Sequence, residues 1–106
     1  MKIERARQSD IPALLSLLRT LFAIEQDFAF DAPRQRRGLV SLIEQAQNRA
    51  ILLVARNGQG VVGMASGQLV ISTAEGAPSV WIEDVVVAEP FRGAGIGRAL
   101  VHGVQQ

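Results

Sequence analysis

Arg92-Gly93-Ala94-Gly95-Ile96-Gly97 is the stretch whose residue types and spacing point most directly to chemistry. Gly93, Gly95 and Gly97 stand at alternate positions, and none carries a Cβ to keep a ligand from the main chain. Ile96, Ala99 and Leu100 follow at helical spacing, which predicts a helix from Gly95 onward. Amides at a helix start lack partners inside the helix, and the dipole there favours negative charge. Arg92 adds a fixed positive charge and a planar donor fork at the same mouth. Together these residues make a cradle suited to a pyrophosphate.

Other readings of the glycines fit less well. A plain strand-to-helix turn does not need three glycines behind an arginine. A P-loop requires Lys-Ser or Lys-Thr after its glycines, and neither is present. A dinucleotide fingerprint starting at Gly93 would want glycine at position 98, which is Arg98.

Two carboxylates, Glu83 and Asp84, lie just upstream on a predicted strand. Strand alternation predicts that they point to opposite faces. A carboxyl buried on a central strand has a raised pKa unless paired, which suits a base working near neutrality. The plain alternative is an ion pair with an arginine such as Arg5 or Arg7 on a neighbouring strand.

These groups need elements to position them. Met1–Arg7 reads as a first strand. Ser9 or Asp10 offers a helix N-cap before Pro12. Ile11, Leu14, Leu15, Leu18, Leu21 and Phe22 then predict an amphipathic helix to about Glu25, with Leu17 and Ile24 beside the stripe as groove-lining candidates. Gln26–Ala32 reads as a loop. Pro33 opens a second helix striped by Leu39, Leu42, Ile43 and Ala46. Ala50–Arg56 reads as a strand, and the turn Asn57-Gly58-Gln59-Gly60 predicts a hairpin into Val61–Ser72. Thr73–Pro78 reads as a loop before the strand Ser79–Ala88. That strand carries Val80, Ile82 and Val86 on one parity and Trp81, Val85 and Val87 on the other, which predicts cover on both faces. The order is β-α-α-β-β-β-α: an α/β (α+β) fold with a mixed, mostly antiparallel sheet and helices on both faces, in a single domain over residues 1–106.

Composition excludes several classes. Hydrophobic residues make up 48% and charged residues 20%, which favours a packed core over disorder. A formal net charge of +1 gives no dense basic face for nucleic acid. Arg34, Arg36 and Arg37 are the one cluster, and they read as a solvent-facing helix start. There is no cysteine, and the single histidine, His102, reads as a surface residue, so a metal site has no support. No run approaches a membrane span and no apolar leader opens the chain, so a cytoplasmic protein without a membrane is expected.

Arg92-Gly93-Ala94-Gly95-Ile96-Gly97 resembles the motif Arg/Gln-x-x-Gly-x-Gly/Ala of the GNAT superfamily of N-acetyltransferases. The strand Val85-x-Val87, the following Arg98-Ala99-Leu100 and the upstream Val61-Val62-Gly63 fit the same family. The similarity spans essentially the whole chain, and the loop is its specific part. It implies that acetyl-CoA is the co-substrate, with the pantetheine along Val85, Val86 and Val87. The amides of Gly93, Ala94, Gly95, Ile96, Gly97 and Arg98 would hold the pyrophosphate. A strand amide near Val85 or Val86 would polarise the acetyl carbonyl. Glu83 is the implied general base, with Asp84 as the alternative. The acceptor would be a primary amine of a small molecule or peptide, and Glu25, Asp27 and Asp31 would attract it if it is cationic; solvated loop acids are the plainer reading.

The chain departs from the family pattern in two respects. It has no tyrosine to protonate the leaving thiolate and no cysteine to carry an acetyl group, so direct attack in a ternary complex is expected. The resemblance also implies a further parallel strand, a helix and closing strands after residue 106. A missing C-terminal segment, or a homodimer in which a second copy supplies the wall, would complete such a fold. A CoA-binding or structural remnant without catalysis is the alternative function.

Overall fold

The computed structural model describes residues 1–25, 29–45 and 49–105. Among them, strands β1 (Lys2–Arg5), β2 (Ala50–Asn57), β3 (Gly60–Ser72) and β4 (Ala77–Val87) form one sheet in the order β1-β2-β3-β4. Every pairing is antiparallel. Helices α1 (Ile11–Glu25) and α2 (Ala32–Glu44) cover one face, and α3 (Ile96–Gln105) covers the other. This is the α/β architecture and element order that the sequence predicts. Ala46 of the predicted second stripe lies outside the described residues.

Alternation along β2 builds two cores from one strand. Leu52 and Val54 pack with Leu14, Leu18 and Leu39 under α1 and α2. Leu53 and Ala55 pack with Leu100 and Val104 of α3. Leu14, Leu52, Val54 and Leu100 are fully buried, so truncating any of them to alanine would leave a cavity costing about 2–5 kcal/mol. Leu17 also joins the core, whereas Ile24 faces solvent, and neither lines the clefts at Asp84.

The start of α1 differs from its prediction. A 3-10 turn at Gln8–Asp10 precedes the helix, and Asp10 reaches backward to accept the Arg7 amide at 2.9 Å rather than capping forward. Asp10 is only 6% exposed, and both its oxygens also take the Arg56 guanidinium at 2.9 Å. Arg56 Nε completes the clamp by donating to Glu4 at 2.6 Å. This fork-on-carboxylate geometry ties β1 and the head of α1 to β2. Arg7 lies 3.5 Å from Glu4, and β1 sits at the opposite edge of the sheet from β4. A partnership between β1 arginines and the β4 acids is therefore corrected.

β4 departs most from its pattern. It is one of the two edge strands among the described residues, and Trp81 is 59% exposed, so the predicted cover on both faces holds at Val85–Val87 but not at Trp81. The cause of the misleading alternation is a β-bulge. Ile82 pairs with Gly67 and Val85 with Ala65, which leaves Glu83 and Asp84 together opposite Ser66. The extra residue shifts the parity. Ile82, Val85 and Val87 all pack toward α3, while Val86 packs under α1 and α2.

Candidate active site

The bulge decides where the two strand acids go. Glu83 and Asp84 do not diverge to opposite faces; both line one cleft of about 330 Å³ with Phe22, Glu25, Trp81 and Ile82. The Asp84 amide donates to the hydroxyl of fully buried Ser66 at 3.3 Å, which satisfies a backbone group that the bulge removes from the ladder. Ser66 was not singled out by sequence; a hydroxyl inside an otherwise apolar strand run was the signal available.

The two acids are in different surroundings. Glu83 is exposed, and it accepts the Trp81 indole N–H at 2.7 Å. Trp81 is thus a cleft wall rather than core. Asp84 is half-buried. Burial pushes its carboxyl above the usual aspartate range, and the negative charges of Glu83 and then Glu25 push it further. No ion pair involves Asp84 among the described residues. A second, smaller cleft of about 170 Å³ between α1 and α2, lined by Leu18, Phe22, Leu39, Leu42 and Arg34 among others, also reaches Asp84. Asp84 therefore stands where two openings meet.

Of the two described acids among those named from sequence, Glu25 joins this cleft and Asp31 does not. Asp31 is the N-cap of α2: its carboxylate accepts the Arg34 amide at 3.4 Å, and its own amide donates to Gln35 at 2.7 Å. This N-cap explains an acid two residues before Pro33 without any ligand. Asp27 lies outside the described residues.

At the other end of β4, a 3-10 turn at Glu89–Phe91 leads into the glycine arch. Gly93 and Gly95 adopt φ of 87° and 81°, a left-handed region that side chains disfavour. A Cβ built on either would meet nothing within 4 Å, so the glycines serve conformation and leave open space on the ligand side. Gly95 ends the arch, its carbonyl accepting the Ala99 amide at 3.0 Å as α3 begins. The amides of Ile96, Gly97 and Arg98 occupy the first turn of α3, where no carbonyl within the helix can take them. The residues present fit a bound pyrophosphate: an open, positive-φ arch, a helix start and an exposed arginine at its mouth.

The strand edge leads to the same point. The Ala88 amide donates inward to Val62 at 2.8 Å, so antiparallel alternation turns the backbone groups of Val87 and Val85 outward and those of Val86 inward. Outward, the Val87 carbonyl accepts Arg92 Nε at 2.8 Å. The arch, an outward-facing strand edge and an acid-lined cleft thus follow one another along a single strand.

A model of the acetyltransferase (GNAT) family matches residues 12–106. The chain belongs to the GNAT acetyltransferase family. Comparison with curated protein sequences gives no match. Among solved structures, the chain is similar to the integron cassette protein HFX_CASS3 from the mobile metagenome of Cole Harbour Salt Marsh. That pair has 24% identity and a TM-score of 0.86, covering 98% of this chain and 67% of the other. It is also similar to the aminoglycoside acetyltransferase meta-AAC0020 from an uncultured soil metagenomic sample, solved with sisomicin, at 25% identity and a TM-score of 0.66 over 96% and 65% of the two chains. The aminoglycoside N-acetyltransferase AAC(6')-Iy, solved with CoA, matches at 16% identity and a TM-score of 0.82 over 98% and 66%. This GNAT chain spans about two-thirds of the length of these relatives. None of its described helices is long and apolar enough to cross a membrane, and no described group of His, Cys, Asp or Glu residues is arranged to hold a metal.

Proposed function

We propose that this GNAT domain transfers an acetyl group from acetyl-CoA to a primary amine of a small molecule or peptide, by direct attack in a ternary complex. The observation that carries this reading is the half-buried carboxyl of Asp84, outside any ion pair among the described residues, on the strand that runs into the glycine arch. The amides of Gly93–Arg98 would hold the pyrophosphate, and the outward edge at Val85–Val87 would pair with the pantetheine. The outward amide of Val85 is the donor best placed to polarise an acetyl carbonyl. Acetyl-CoA supplies the activated acyl group; the rest is the work of this chain's residues.

An amine reaches a cleft lined by Glu25, Glu83 and Asp84 as an ammonium ion, attracted by their charge. It must lose a proton before its nitrogen can attack. Asp84, with its pKa raised by burial and by its acidic neighbours, is a better matched base than an ordinary carboxylate. We therefore favour Asp84 over Glu83, and assign Glu83 to the rim, where it holds Trp81. Small-molecule amines as acceptors are supported by the aminoglycoside acetyltransferases among the structural neighbours.

The span of two-thirds of its relatives' length favours one second reading, a CoA-binding remnant without catalysis. Thiol release from acetyl-CoA in the presence of a panel of primary amines separates the two. Amine-dependent release that falls about a hundredfold in Asp84→Asn supports the transferase with Asp84 as base. CoA binding without any release selects the remnant.

A further inference from the structure

We infer that the Arg92 side chain is a strap that holds the glycine arch against the end of β4, a positioning residue rather than chiefly a counter-charge for phosphate. The inference concerns the same site as the reading above and rests on it only for the ligand. Arg92 Nε donates to the Val87 carbonyl at 2.8 Å, bridging the two segments that bracket the turn at Glu89–Phe91. That carbonyl is one of the outward groups of an edge strand, so no ladder partner competes for it among the described residues. The backbone adds a second tie, because the Arg92 amide donates to the Glu89 carbonyl at 3.2 Å. Beyond Arg92 the chain turns through two positive-φ glycines, which are free to adopt many conformations unless something anchors the start of the arch. The strap is that anchor. It also engages the Val87 carbonyl, leaving the outward amides of Val85 and Val87 and the Val85 carbonyl for a pantetheine.

The bond runs through Nε rather than the terminal nitrogens, and this makes the idea separable from a charge role. Glutamine carries its amide nitrogen on Cδ, the same number of bonds from the backbone as arginine Nε. Arg92→Gln therefore keeps an N–H donor at the strap position and removes the charge. Lysine has a methylene there and its ammonium one atom further out. Arg92→Lys keeps the charge and removes the strap donor.

The test uses hydrogen exchange of the arch amides in the ligand-free protein, CoA affinity by calorimetry, and global thermal stability. A strap predicts that Gly93–Gly97 exchange faster in Arg92→Lys and Arg92→Ala but not in Arg92→Gln. It also predicts that CoA affinity falls about tenfold in Lys and Ala and less than about threefold in Gln. All three variants should melt with the parent, since the bond is exposed and local. Affinity kept by Lys and lost by Gln would overturn the strap in favour of a phosphate counter-charge. Parent-like exchange in all three variants would overturn it too. If the parent binds no CoA, the cofactor reading fails while the exchange experiment still decides the strap.

Discussion

Two acidic clusters sit on this sheet and meet opposite fates. At one edge, Glu4 and Asp10 share the guanidinium of Arg56, whose hydrogen bonds hold both carboxyls below their usual range and raise the arginine in turn. At the other edge, Glu25, Glu83 and Asp84 gather in a cleft with no cation among them, and Asp84 is pushed up. The first arrangement satisfies its charges and ties three elements together. The second leaves a half-buried acid with two acidic neighbours and no ion pair among the described residues, although Arg34 lines the adjoining cleft. Unrelieved acids in a cleft point to function, whereas a bidentate clamp points to structure.

Breaking the clamp should give the largest stability effect. Arg56→Leu leaves the Asp10 carboxylate nearly buried without its main donor, and we expect a loss of about 3 kcal/mol in urea unfolding. The clamp should also fail in acid. A carboxyl whose folded pKa is depressed contributes stability that is full above the ordinary carboxylate range and disappears as pH falls through the depressed value. The parent should therefore lose stability below about pH 4, and Arg56→Leu should lose less over that range.

The bulge beneath the other cluster comes next. Ser66→Ala removes the acceptor of the Asp84 amide, and we expect a cost of about 1–2 kcal/mol together with displacement of Asp84. A variant that melts with the parent would show that the bulge holds without its serine.

The smallest effect has the opposite sign. The folded pKa of Asp84 is raised, so its charged form opposes folding, and the penalty grows as pH rises from the ordinary carboxylate range through the raised value. Asp84→Asn should match the parent in melting temperature near pH 3 and exceed it at pH 7, even as transfer activity falls. Equal melting curves at both pH values would remove the contrast between the clusters.

The arch was the most legible part of the chain. Glycines before an amphipathic helix mark a strand-to-helix turn, and the turn stands where the sequence puts it, with positive φ at Gly93 and Gly95 as the structure's addition. The element order was legible for a similar reason, since the apolar stripes of α1 and β2 are each uniform in period. β4 was less so, because one bulge residue joins Ile82 to the face of Val85 and breaks the alternation between Ile82 and Val86. The same slip sent Glu83 and Asp84 to opposite faces on paper. The pairing of Asp10 with Arg56 crosses 46 residues and has no local signature, so Asp10 read only as a cap. Asp31 is the converse, an acid whose role is local: it caps α2 by accepting the Arg34 amide, in keeping with the plainer reading of the loop acids.

CoA at the arch and along the edge of β4 is the expectation on which the proposed transfer depends most directly. A titration of the isotope-labelled chain with CoA, followed by amide NMR, tests it residue by residue. The account predicts saturable shifts concentrated at Gly93–Arg98 and Val85–Val87, with the Arg56 clamp unmoved. A well-dispersed spectrum that CoA leaves unchanged, or shifts centred elsewhere, would contradict it.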